Sequence, residues 1–176
     1  IVPNSVIDAA LAFAQRPGFQ AANVASVELR GNPFLRQRTD RPDVTTGREA
    51  QVSAQHAIAI AFKRGEAGLD AFSDTAVAET LRDGRPTIAF IDDATVNIAG
   101  VYATFRMTDG SSETLSIDAA KGSPTNPLTD TELEDKLKML AARAGFSRPV
   151  QPLIDAIWNL DSAADAGAVS RLAAAS

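Results

Sequence analysis

Cysteine is absent from this 176-residue chain, which excludes disulfides and thiolate chemistry. There is one histidine, His56, and with no cysteine beside it a zinc site has little to draw on, because such sites are built mainly from those two residues. A single imidazole also gives no basis for assembling a Ser-His-Asp arrangement. No apolar run approaches the roughly 20 residues needed to cross a bilayer, so no membrane partner is expected. Positive charge is in deficit: 17 Lys and Arg against 22 Asp and Glu leave a net charge of −5, which argues against nucleic acid. That balance does not exclude a small anionic ligand, since local arginines decide that. What is present, 45% hydrophobic and 22% charged residues, suits a globular chain with a real core, expected as a single domain over residues 1–176 in a cytoplasmic setting.

The chain is organised around Gly47 to Gly65. Its first turn carries Arg48, Glu49 and Gln51, and from Ala54 onward it is almost entirely apolar apart from Gln55 and His56. Thr45 and Thr46 are candidate N-caps, Lys63 and Arg64 fall in the last turn, and Gly65 follows as the left-handed stop. A helix apolar on nearly all sides belongs at the centre of a fold.

Around it, Asn4 or Ser5 can cap a helix over about Val6–Gln15, with Ile7, Ala10, Leu11 and Ala14 on one face and Pro17-Gly18 as its end. Val24–Arg30 alternates as a strand. Gly31 to Thr46 reads as a long polar connection, and connections of that length in a compact domain are functional or disordered. Four arginines lie in or beside it: Arg36, Arg38, Arg41 and Arg48. A helix is expected over Thr75–Arg82, capped by Ser73 or Asp74, then strands at Thr87–Ile91, Val101–Met107 and Glu113–Ile117, the last two joined through Asp109-Gly110. Pro124 and Pro127 forbid regular structure between Lys121 and Leu128. Thr129 and Glu132 form a capping-box pattern for a helix to about Ala144. Arg148-Pro149 opens another helix, and the alanine-rich Ala163–Ala174 is a third. Helices with a small antiparallel sheet make an α+β class rather than a βαβ alternation.

Three stretches resemble the MmgE/PrpD family (2-methylcitrate dehydratase, cis-aconitate decarboxylase), in its C-terminal lid domain. They are Arg38-Thr39-Asp40-Arg41-Pro42-Asp43 leading into Thr46-Gly47-Arg48-Glu49-Ala50-Gln51-Val52-Ser53; Thr108-Asp109-Gly110 within a strand-turn-strand; and Lys121-Gly122-Ser123-Pro124-Thr125-Asn126-Pro127-Leu128 running on through Glu132-Leu133 to Lys136. The opening Ile1-Val2-Pro3 is similar as well. Within the family the arginine-bearing loop resembles iminodisuccinate epimerase-like members most. The resemblance implies a lid packed with an otherwise all-helical enzyme, a homodimer, and no cofactor. It also implies a small di- or tricarboxylate substrate from which a proton is removed next to a carboxylate. The general acid/base residues would belong to an upstream helical domain absent from these residues, so the chain is expected to be a piece of something longer.

Counting from Gln51, His56 stands where family members carry a cleft tyrosine, which makes it the catalytic candidate; the alternative is a core histidine bonded to a backbone carbonyl. Arg36, Arg38 and Arg41 could bind carboxylate bidentately, or pair locally with Asp40 and Asp43 in a solvated loop. Lys121 could present an ammonium and adjacent N–H groups to an anion, or sit in a rigid connector whose prolines set an angle. Asp92-Asp93 resembles a turn more than a catalytic pair. Trp158, Ile154 and Leu160 are either core or a face for the missing helical domain. A non-catalytic binding module sharing the lid fold is the competing class.

Overall fold

The computed structural model describes residues 4–174. They divide into two compact units, the first ending at Asn126 and the second starting at Pro127.

The first unit runs α1 (Asn4–Ala14), β1 (Val24–Gly31), α2 (Pro33–Thr39), α3 (Gly47–Ala50), α4 (Ala54–Arg64), α5 (Asp74–Asp83), β2 (Thr87–Asp92), β3 (Val101–Met107) and β4 (Ser112–Ile117), with short 3₁₀ turns at Ala21–Asn23 and Leu69–Phe72. The sheet order is β2-β1-β3-β4. Strand β3 is antiparallel to both β1 and β4, but β1 and β2 are parallel. The sheet is therefore mixed rather than purely antiparallel, within the α+β class. A parallel pair needs a long crossover, and residues 32–86 with their helices supply it.

Register sorts the two sheet faces. Ile88, Val27 and Phe105 align in one row, and Phe90, Leu29, Ala103 and Leu115 in the next. These side chains join Val6, Ala9, Ala10 and Phe13 of α1 and Ala54, Ile58 and Ala61 of α4 in one core. The opposite face is polar and open, with Arg106 donating to Glu28 at 3.0 Å and the hydroxyls of Thr104 and Thr114 2.8 Å apart. That one-sided arrangement is what alternating strands with one wet face produce. The buried stripe of α1 is Val6–Ala9–Ala10–Phe13, not the neighbouring Ile7–Ala10–Leu11–Ala14. Both stripes are apolar at helical spacing, and the aromatic ring decides: Phe13 stacks on Phe105 with centroids 4.1 Å apart.

The expected helix from Gly47 to Arg64 is two helices. Thr46 and Glu49 form a capping box on α3, and Ser53 then caps α4 by accepting from the His56 N–H at 3.1 Å. A serine hydroxyl competes with the helical backbone for its N–H groups, so it starts a new helix rather than continuing an old one. Helix α4 is the central element. One side meets the sheet and α1; the other meets Ala71 and Ala76 through Ile60. Gly65 ends it with φ 67°. Helix α2 occupies what had read as loop: Asn32 accepts from the Phe34 N–H at 3.2 Å and Pro33 fills the first turn, a cap pattern that is also a turn pattern.

Gly47 seats α3 against the segment before α5. A Cβ there would press on the Phe72 carbonyl oxygen and lie 2.9 Å from the Ser73 carbonyl carbon, while the Gly47 N–H donates to Asp74 at 2.7 Å. Gly47→Ala is expected to cost roughly 1–3 kcal/mol in urea unfolding, the overpacking range. Gly68→Ala, with open space around its Cβ, should change little.

The second unit holds α6 (Asp130–Arg143), α7 (Gln151–Trp158) and α8 (Gly167–Ala173). Thr129 and Glu132 form the expected capping box. Trp158 Nε1 donates to Glu134 at 3.0 Å, and Arg148 donates to the Arg171 and Ala174 carbonyls at the end of α8. Helix α6 buries none of its residues, and Trp158 and Leu160 are about half exposed.

Candidate functional site

The segment from Asp40 to Thr46, which follows α2, is irregular but held at several points. Ser53 Oγ donates to the Arg41 carbonyl at 2.7 Å, and Gln55 Oε1 accepts from the Arg41 N–H at 3.1 Å. Gln55 Nε2 donates to Asp40 at 2.7 Å. Both residues are buried, so the backbone of Arg41 is gripped from the start of α4. From α5's side, Arg85 donates to the Pro42 carbonyl at 2.6 Å and the Val44 carbonyl at 3.1 Å. Glu49 accepts from the N–H groups of Thr45 and Thr46, and those donors hold its carboxyl below its ordinary value. This strap borders an open depression of about 470 Å³ lined by Asp40, Arg41, Asp43, Val44, Glu49 and Val52.

The expected binding residues do not converge. Arg36 is committed to Asp92, donating Nε at 3.0 Å and Nη2 at 2.5 Å, which raises the guanidinium's pKa and pulls the Asp92 carboxyl down. Arg41 folds back and donates to the Gln37 and Asp40 carbonyls at 3.0 and 2.9 Å, capping the end of α2. Arg38, on the helix face away from Arg36, is exposed and lies 6.0 Å from the Phe34 ring. Among the described residues neither Arg38 nor Arg48 makes an ion pair; both are exposed and flank the strap in sequence, and neither lines the depression. Lys121 lies elsewhere: its N–H donates to Asp8 at 2.8 Å. The loop beyond it closes on itself, Gly122 N–H to the Asn126 carbonyl at 2.8 Å and Asn126 Nδ2 to the Ala119 carbonyl at 3.1 Å. That is the geometry of a rigid connector. Asp93 accepts from Thr95, so the Asp92-Asp93 pair is spoken for by separate partners.

His56 is fully buried. Nε2 lies 2.7 Å from the Ala71 carbonyl and Nδ1 lies 3.0 Å from Thr80 Oγ1, with Phe72 edge-on at 5.5 Å. A carbonyl only accepts, so Nε2 carries the hydrogen; the neutral ring then accepts at Nδ1 from Thr80. Burial pushes the imidazole pKa down; the Ala71 bond opposes this, and Arg85 and Arg64 add to it. Neither nitrogen is left for a substrate.

Arg85, which ties α5's end to the strap, has no signature in the sequence. It stands in Asp83-Gly84-Arg85-Pro86, which reads only as a turn. Gln55 was visible as a polar intrusion in an apolar helix, but not as a clamp. Another polar depression, at the end of the sheet, is lined by Arg30, Asp93, Asn97, Tyr102 and Asp118. Among the described residues no helix is long and apolar enough to cross a membrane.

Compared with known proteins, residues 2–162 match the family described as MmgE/PrpD C-terminal domain. No curated protein matches the chain.

Proposed function

Because the chain belongs to the MmgE/PrpD family through its C-terminal domain, we propose that it is the cover of a cofactor-independent enzyme that removes a proton next to a carboxylate of a small di- or tricarboxylate. Dehydration, decarboxylation and epimerisation share that first step. A carbanion beside a carboxylate needs preorganised cations or donors, and closing a cover over it excludes water. The observation that carries this reading is the strap, pinned by Ser53, Gln55 and Arg85 and flanked in sequence by Arg38 and Arg48, two exposed guanidinium groups without an ion pair among the described residues. Acid/base chemistry is assigned to a preceding helical domain. The exposed apolar side chains Leu133, Ile157 and Trp158 are assigned to contact with that domain, in a cytoplasmic homodimer. His56, with both nitrogens engaged, supports the strap rather than the proton transfer.

The test is steady-state turnover of citrate-like, aconitate-like and aminodicarboxylate acids by the polypeptide carrying the preceding domain. Arg38→Ala with Arg48→Ala is expected to lower kcat/KM about 10- to 100-fold, the worth of one or two charge-assisted contacts, with most of the change in KM. An unchanged kcat/KM would remove the strap from the site. The second reading, a binding module without chemistry, is favoured by the engagement of both His56 nitrogens inside the fold. It predicts that some of these acids bind and none is turned over.

A further inference from the structure

The buried imidazole, the Thr80 hydroxyl and the Arg85 guanidinium form one continuous chain that ends on the strap. Arg85 Nε donates to Thr80 Oγ1 at 3.3 Å, Thr80 stands 3.0 Å from His56 Nδ1, and the other two arms of Arg85 hold Pro42 and Val44. We infer that these three residues are a proton-sensitive latch: with His56 neutral the latch holds residues 42–44 against α5, and a proton on the ring releases them.

The argument is one of donors and charges. In the neutral state each group has a complementary role: Nε2–H to the Ala71 carbonyl, the Thr80 hydroxyl shared between Nδ1 and the Val77 carbonyl, and Arg85 Nε–H to the Thr80 oxygen. Adding a proton turns Nδ1 into a donor. The Thr80 hydroxyl, which already reaches the Val77 carbonyl at 3.1 Å, then gives its hydrogen wholly to that carbonyl, and its oxygen stands between two cationic donors, the ring and Arg85. Every neighbouring element contributes to the balance. On α4 itself Arg64 is held by Glu79 of α5 at 2.9 Å, and Arg64 also reaches the Asp70 carbonyl on the turn that carries Ala71. Asp74, at the start of α5, is bonded to the Gly47 N–H. Asp43 on the strap is the carboxylate that favours charged Arg85. None of these carboxylates bonds to the ring, so the new charge meets Arg64 and Arg85 first. Arg85 is the group able to retreat, because it lies at the surface end of the chain and its guanidinium can exchange two carbonyls for water. Both arginines act on the imidazole in the same direction as its burial does. Release therefore sets in as pH falls below the ordinary imidazole value of about 6.5.

This latch does not rest on the proposed reaction and is tested without substrate. In ¹H–¹⁵N spectra of the whole chain between pH 8 and 5, the Val44 and Thr45 amides should shift with the same midpoint as the His56 ring. The Arg85 Nε–H signal should be lost over the same range, and the Leu29 amide in the sheet should stay still. In Thr80→Val the ring should still titrate while the strap amides no longer follow it; in His56→Gln they should not move in that range. A wild-type ring that stays neutral down to pH 5 would overturn the latch, as would strap amides that stay flat while the ring titrates, or strap shifts that persist in both variants. Movement of Leu29 together with the strap would also overturn it, by showing global unfolding. If neither variant folds, the wild-type comparison of ring, strap and Leu29 decides alone.

Discussion

Replacing His56 by alanine is expected to lower the unfolding free energy by about 3–5 kcal/mol, a larger loss than any surface change in the chain should produce. Two costs combine. A fully buried ring leaves a void between α4 and the Leu69–Phe72 turn, and large-to-small changes at such sites cost on the order of 2–5 kcal/mol. The Ala71 carbonyl also loses its partner, and an orphaned buried polar group costs about 1–3 kcal/mol unless water enters, whereas Thr80 keeps the Val77 carbonyl and Arg85. Urea unfolding followed by circular dichroism measures the sum. The same substitution should flatten part of the acid side of the stability curve. The folded state keeps the imidazole below its ordinary value, so the unfolded chain binds the proton more readily. Stability from this group is complete above about pH 6.5 and falls as pH drops from there toward the folded value. The alanine variant lacks that slope. A loss under about 1 kcal/mol would mean that the ring is not the packed, fully bonded group described.

The second large effect belongs to Phe105. Its ring is fully buried, stacks on Phe13 with an interplanar angle of 11°, and lies 5.9 Å from Phe62, so α1, α4 and β3 all meet there. Phe105→Ala is expected to cost about 3–5 kcal/mol. Tyr102, on the opposite, open face of the same strand, is 41% exposed, and Tyr102→Ala should cost well under about 1 kcal/mol. The contrast tests the assignment of the two sheet faces. Comparable losses at both positions would mean that the polar face is covered.

Local signals carried much of this fold. The N-cap at Thr46, the capping box at Thr129/Glu132, the Gly65 stop and the Asp109-Gly110 hairpin are short-range chemistry, and each lies where the residues indicate. The features that escaped are those decided at a distance. A short strand such as β2 reads the same whether its neighbour runs with it or against it, so its parallel pairing to β1 was invisible. The break at Ser53 was hidden because helix periodicity continues through it; its purpose, a grip on the Arg41 backbone, lies twelve residues away in sequence. The candidate site was legible as a stretch but not as an arrangement. Counting arginines found Arg36, Arg38 and Arg41. It could not show that Arg36 is taken by Asp92 and Arg41 by the end of α2, nor that Arg85 holds the strap. His56 was found because it is the only histidine, and burial then decided what it does.

Carbon-bound hydrogen exchange is the most direct test of a cover that assists chemistry it cannot start. Citrate-like and aconitate-like acids would be incubated in D₂O with these 176 residues alone, and separately with a polypeptide that adds the proposed preceding helical domain, and deuterium at the carbon next to the carboxylate followed by NMR. The account predicts background exchange with the shorter chain and catalysed exchange of at least one acid with the longer one. Catalysed exchange by the 176 residues alone would contradict it.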